Sequence, residues 1–119
     1  MEWVSTPAGP CLVAAISGEL DLQTAPLLRT QIEGAWSQHP EARQLILDLS
    51  GVTFVDSSGL GAVLGRYRQC VLRGGRMALV GLQPNVRRLF ELSGVLRIME
   101  AYNSLDEALP LPREGGGRA

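Results

Sequence analysis

The chain has 119 residues, enough for one domain with one modest core, and at 45% apolar and 19% charged residues it is expected to fold. Its formal net charge of −1 comes with no basic tail, which argues against direct binding of nucleic acid. No long apolar run is present, so no membrane span is expected, and Met1-Glu2-Trp3 does not open a signal peptide, which makes a cytoplasmic protein the default expectation.

The first segment, 2–7, reads as an edge strand, and Ala8-Gly9-Pro10 as a turn. Cys11 to Ser17 is a continuous apolar run closed by Gly18, too short for a typical helix and consistent with a strand covered on at least part of both faces. The two strands are expected to form a hairpin. Residues 18–24 then lead to a helix that either Asp21 or Thr24 can cap, with Pro26 in its first turn. Leu28, Ile32, Ala35 and Trp36 recur at helical spacing, and Pro40 ends the element.

Leu45, Leu47 and Leu49 alternate with Ile46 and Asp48, the pattern of a central strand. Ser50-Gly51 follows, and Val52 to Val55 carries the chain to Asp56. From Ser58 the period changes to that of a helix. Leu60, Val63, Leu64, Tyr67, Cys70 and Val71 form an apolar stripe, while Arg66, Arg68, Gln69 and Arg73 are expected on the solvated side. Gly74-Gly75 closes this helix and Met77 to Val80 reads as another buried strand, so the stretch predicts a βαβ unit.

A short helix is expected from Pro84, packing through Val86, Leu89 and Phe90 and leaving at Gly94. Leu96 to Met99 predicts a brief last strand. Ser104-Leu105-Asp106-Glu107 matches a capping box ahead of a short helix. The Gly-rich end, 113–119, reads as a frayed tail. The expected fold class is α/β, a small mixed β-sheet covered by amphipathic helices.

The polar turn Asp56-Ser57-Ser58-Gly59 lies where strand gives way to helix, beside four amides that lack helical partners. One reading makes Asp56 or Ser57 simply the helix cap; the functional reading adds one step to it. A hydroxyl at this place faces the positive end of the helix dipole. A phosphate on it would be locally favoured, and would add about −1.5 to −2 charges beside Asp56. Glu19 and Asp21 are either loop residues or a docking patch near Ser57, and Arg66 and Arg68 either a solvated face or partner contacts.

Catalytic readings lack their parts. The chain has no lysine and no G-x-x-x-x-G-K-[ST] pattern for a nucleoside triphosphatase. Its one histidine, His39, is expected in a loop, far from serving Ser57 as a base. Cys11 and Cys70 read as small buried hydrophobes rather than a redox or zinc pair. Glu19, Asp21, Asp48 and Asp56 carry no EF-hand spacing for a hard cation. No metal, no cofactor and no enzymatic activity are expected.

Phe54 to Tyr67, containing Asp56-Ser57-Ser58-Gly59-Leu60-Gly61, closely resembles the switch segment of the STAS-domain anti-sigma factor antagonists, nearest to their sporulation members. Gly18-Glu19-Leu20-Asp21 and Pro84 to Phe90 with Leu92-Ser93-Gly94 extend the similarity to roughly residues 10–109. The resemblance implies a single STAS domain over 1–109, with 110–119 a flexible C-terminal tail. It implies that the unphosphorylated protein binds an anti-sigma factor serine kinase and releases the sigma factor. It also implies that phosphorylation of Ser57 switches this binding off, and that a protein phosphatase restores it. Glu19, Asp21, Asp56, Ser57, Ser58, Gly59, Leu60 and Arg66 are the expected partner-binding residues. A switch of the same fold in another pathway, such as the general stress response, is the alternative.

Overall fold

A computed structural model describes residues 1–109. The order of elements is β1 (Glu2–Ala8), β2 (Cys11–Leu20), α1 (Ala25–Gln38), β3 (Gln44–Val55), α2 (Ser57–Leu72), β4 (Met77–Val80), α3 (Pro84–Ser93), a 3-10 turn (Val95–Arg97), β5 (Glu100–Tyr102) and α4 (Leu105–Ala108). The strands lie in the order β1-β2-β3-β4-β5. The β1–β2 hairpin is antiparallel and the other three pairings are parallel, so the sheet is mixed and β3 is central.

Alternation along the strands divides the apolar residues between two faces. Leu12, Ala14 and Ile16 of β2 and Leu45, Leu47 and Leu49 of β3 share one core with Leu28, Ile32 and Trp36 of α1, Val63 and Cys70 of α2, and Val86 and Phe90 of α3. On the other face Cys11, Ile46, Ala78 and Val80 are covered by Ala108, with Leu105 and Leu109 beside it. At α4 the Ser104 arm of the expected capping box forms, Glu107 N–H donating to Ser104 Oγ at 3.3 Å, while the Glu107 carboxylate reaches one residue further back and accepts from Asn103 N–H at 3.0 Å. The residues expected to form a tail, 110–119, lie outside the described residues.

Several expectations are corrected. Gly18 does not end β2. Its φ of +100° accommodates a register shift, and the strand continues to Leu20 against β3, so Glu19 is a strand residue. β3 runs unbroken through Ser50-Gly51 to Val55. The brief strand expected at Leu96–Met99 is instead a 3-10 turn, and β5 begins at Glu100. Val95 and Met99 are the buried positions there, a spacing of four that belongs to a helical turn rather than to alternation.

Helix α2 is clamped on two sides, which changes its expected faces. Val63 and Cys70 are buried on the sheet, but Val71 is exposed. Arg66, expected in solvent, is only 6% exposed, because its side of the helix turns toward α1. Gln69 Nε2 donates across that contact to Glu33 Oε2 at 3.2 Å. Arg73 is not free in solvent either: its Nη2 donates to the carbonyls of Pro40 (3.1 Å) and Ala42 (2.9 Å), and its guanidinium lies 4.6 Å from the centroid of the Trp36 ring.

Candidate functional site

The polar turn is held by the ends of the two longest strands. Leu20 and Val55, the last residues of β2 and β3, are paired, as are Glu19 and Phe54. The next amide, Asp56 N–H, donates to Leu20 O at 3.2 Å. This brings the connection after β2 and the start of α2 to one edge of the molecule.

Asp56 is the cap of α2. Its backbone is extended, and its Oδ1 accepts from Gly59 N–H at 2.9 Å. Ser57 is therefore the first helical residue, not the cap. It is exposed, and no hydrogen bond ties its hydroxyl to any of the described residues. Ser58 is half-buried, on the side facing α1. Gly59 is buried because the helix start presses on β2: a Cβ there would lie 2.1 Å from Leu20 O. Leu60 is half-buried against the core.

Across from the turn, Asp21 and Thr24 brace one another. Asp21 N–H donates to Thr24 Oγ1 (2.8 Å), and Asp21 Oδ1 accepts from the N–H groups of Gln23 (3.0 Å) and Thr24 (3.1 Å). Thr24 Oγ1 also donates to Glu19 O at 2.9 Å. Thr24 is the residue preceding α1, but its side chain makes no cap bond, since the hydroxyl serves this turn instead. The Thr24 N–H is the main reason the Asp21 carboxyl is held below its ordinary value, with the Thr24 hydroxyl and Gln23 N–H adding to it and burial opposing. Glu19 is exposed beside this turn.

The edge thus gathers Glu19, Asp21, Asp56, Ser57, Ser58, Gly59 and Leu60. Arg66 stands apart, two turns along α2 and roughly 12 Å from Ser58 in axial rise. Burial pushes its guanidinium below its ordinary value, Glu33 pulls it back up and Arg29 pushes it down. Sequence reasoning assigned no role to four further residues, Leu22, Phe54, Asn85 and Gln83. Leu22 (72% exposed) and Phe54 (47% exposed) put apolar surface beside the turn. For Leu22 the signal was an apolar residue within an otherwise polar connection. Asn85 Nδ2 donates to Thr53 O at 2.8 Å and Gln83 Nε2 to Ser50 O at 2.9 Å, so the start of α3 satisfies the part of β3 that runs past β4.

The arrangement offers an accessible hydroxyl, not an activated one. His39 sits at the far end of α1, a helix of 14 residues and so roughly 21 Å long, where it approaches Glu41 at 3.8 Å. Asp56, the nearest carboxylate in sequence, is engaged with Gly59 N–H. Asp48 Oδ1 accepts from Ser50 N–H and Oγ and does not join Glu19, Asp21 and Asp56. Among the described residues no group of three His, Cys, Asp or Glu side chains is placed to hold a metal ion, and no helix is long and apolar enough to cross a membrane. What the turn can do chemically is present a hydroxyl on a rigid helix start, with the amides of the first turn behind it.

Comparison with known proteins gives a consistent result. The STAS domain family matches residues 4–108. The chain is 40% identical over 98 residues to the anti-sigma F factor antagonist of Paenibacillus polymyxa, covering 82% of this chain and 83% of that one. It is 35% identical over 88 residues to the anti-sigma-B factor antagonist of Listeria monocytogenes, covering 74% and 75%. Among solved structures, the phosphorylated form of the Bacillus cell fate determinant SpoIIAA superposes with a TM-score of 0.71 at 28% identity, covering 91% of this chain and 96% of that one.

Proposed function

The chain belongs to the STAS-domain family of anti-sigma factor antagonists, and on that premise we propose that Ser57 is its phosphorylated switch. In this reading the unphosphorylated protein binds a cognate anti-sigma factor, itself a serine kinase, and so frees a sigma factor. The kinase transfers phosphate from ATP to the Ser57 hydroxyl, binding is lost, and a protein phosphatase returns the antagonist to its active form. The setting is the cytoplasm, where sigma factors meet RNA polymerase. The protein acts by binding, with neither cofactor nor metal.

The observation that carries this reading is the placement of Ser57: exposed, first in a capped helix, with its hydroxyl uncommitted among the described residues. Around it lie Glu19, Asp21 and Asp56 as polar contacts, and Leu22, Phe54 and Leu60 as apolar ones. A phosphate on Ser57 would put about −1.5 to −2 charges next to Asp56 in the middle of that surface. Like charges brought to a docking face raise the free energy of the complex without touching the buried core, so the fold survives while binding is lost.

The test is calorimetry with the anti-sigma factor. Ser57→Asp and Ser57→Glu are expected to weaken binding by about tenfold or more, roughly 1.4 kcal/mol, with an unchanged circular dichroism spectrum. Affinity equal to that of the parent protein contradicts the proposal. The 40% identity to an anti-sigma F antagonist favours a sporulation partner, and the 35% identity to an anti-sigma-B antagonist supports the general stress response as the second reading. Binding the chain in parallel to an anti-sigma F and an anti-sigma-B factor separates the two.

A further inference from the structure

Two stripes of side chains face one another between α1 and α2. On α1, Ala25, Arg29 and Glu33 recur every four residues; on α2, Ser58, Ala62 and Arg66 do the same. Ala25, Ser58 and Ala62 are too small to fill the space between the outer halves of the helices. The result is an open groove of about 650 Å³. Its upper end is apolar, with Leu22, Ala25 and Pro26, and its lower end is charged.

Arg66 is the unexplained group in this groove. It is 94% buried by its 6% exposure, and its Nε and Nη1 are shielded from solvent with no hydrogen-bond partner among the described residues. Glu33 is the carboxylate that attracts it, but at longer range than an ion pair. The Glu33 Oε2 is already engaged by Arg29 Nε at 3.0 Å and Gln69 Nε2 at 3.2 Å. A guanidinium taken out of water without partners is costly, and buried polar groups in folded proteins are otherwise almost always satisfied. With Arg29 and Arg66 against Glu33, the groove keeps an excess of one positive charge.

We propose that the α1–α2 groove is a binding site for a small organic oxyanion, a carboxylate or phosphate head on a short apolar body, with Arg66 as its anchor. An anionic head supplies the Arg66 guanidinium with the acceptor and counter-charge that it lacks among the described residues. The Thr30 hydroxyl lines the same groove as a further donor, and Arg29 stands at its exposed rim. The apolar body lies toward Ala62, Pro26 and Leu22. The site does not depend on phosphorylation of Ser57, although Ser58 places it beside that switch.

The test is a two-dimensional NMR titration of the whole protein at constant ionic strength. The probes are hexanoate and hexyl phosphate, with hexanol and hexyltrimethylammonium as neutral and cationic controls. The expected result is saturable shifts at the Ala25, Gly61 and Ala62 amides with one or both anions, the more effective anion identifying the head group. Arg66→Gln is expected to weaken this binding at least about tenfold, and Arg68→Gln, on the exposed side of α2, to leave it unchanged. Ala62→Leu fills the groove with Arg66 still in place and is expected to abolish binding, so the inference remains testable if Arg66→Gln folds poorly. Glu33→Gln removes the competing carboxylate and is expected to tighten binding. Absence of saturation by either anion, equal response to the cation, undiminished binding in Arg66→Gln, or weaker binding in Glu33→Gln would each overturn the proposal.

Discussion

At the scale of single residues, the turn depends on two neighbours of Ser57. Asp56 caps α2 through Gly59 N–H, so Asp56→Ala is expected to lower stability by about 1 kcal/mol, measured by urea unfolding. Gly59 is the point where α2 touches β2. A methyl group 2.1 Å from Leu20 O forces helix and strand apart, and the same carbonyl accepts the Asp56 amide. Gly59→Ala is therefore expected to cost about 1–3 kcal/mol. Gly61, two residues on, is exposed and a Cβ there meets nothing within 4 Å. Gly61→Ala is expected to raise stability by about 0.5–1 kcal/mol through helix propensity alone. Opposite signs for two glycine-to-alanine changes in one helical turn distinguish close packing from a general need for glycine. Equal effects would refute the close contact.

At the scale of elements, α2 is the helix with two buried sides, and its buried thiol gives a titratable measure of that packing. Burial pushes the Cys70 thiol from an ordinary 9.0 up to about 12, against the opposing pull of Arg73 and Arg66. Between those values the folded state keeps the proton and the unfolded chain releases it. The contribution to stability is thus complete below pH 9.0 and is lost as pH rises toward about 12. The urea midpoint of the parent protein is expected to fall more steeply over this range than that of Cys70→Ala; parallel declines would contradict it. The outline of these elements was legible because local signals mark it. Ala8-Gly9-Pro10 sets the hairpin, and Pro84 and Gly94 bound α3. Gly18 misled, because a glycine reads locally as a stop, whereas pairing between β2 and β3 carries the strand through it. Arg66 misled for a similar reason. Its charge signals solvent, and only the approach of α1 buries it. Of the site, the Asp56-Ser57-Ser58-Gly59 turn was readable as a change of period, but Leu22 and Asn85 join it only through the fold.

At the scale of the molecule, the sheet is covered unequally. Three helices share one core, while Leu105, Ala108 and Leu109 cover Cys11, Ile46, Ala78 and Val80 on the other face. We therefore expect a chain ending at Leu109 to keep the melting temperature of the full sequence within about 2 °C, and one ending at Asn103 to lose several degrees as that cluster opens. Loss of folding in the longer of the two would contradict a domain spanning 1–109. On the proposed reading a phosphate on Ser57 would act without movement of the core, since β2, β3 and the start of α2 bring Glu19, Asp21, Asp56 and Phe54 to one edge around Ser57. The most direct test of that claim is incubation of the protein with its anti-sigma factor kinase and ATP, followed by mass spectrometry of the modified residue. The account predicts one phosphate, on Ser57, and no modification of Ser57→Ala. Phosphate confined to Ser58, or no transfer at all, would contradict it.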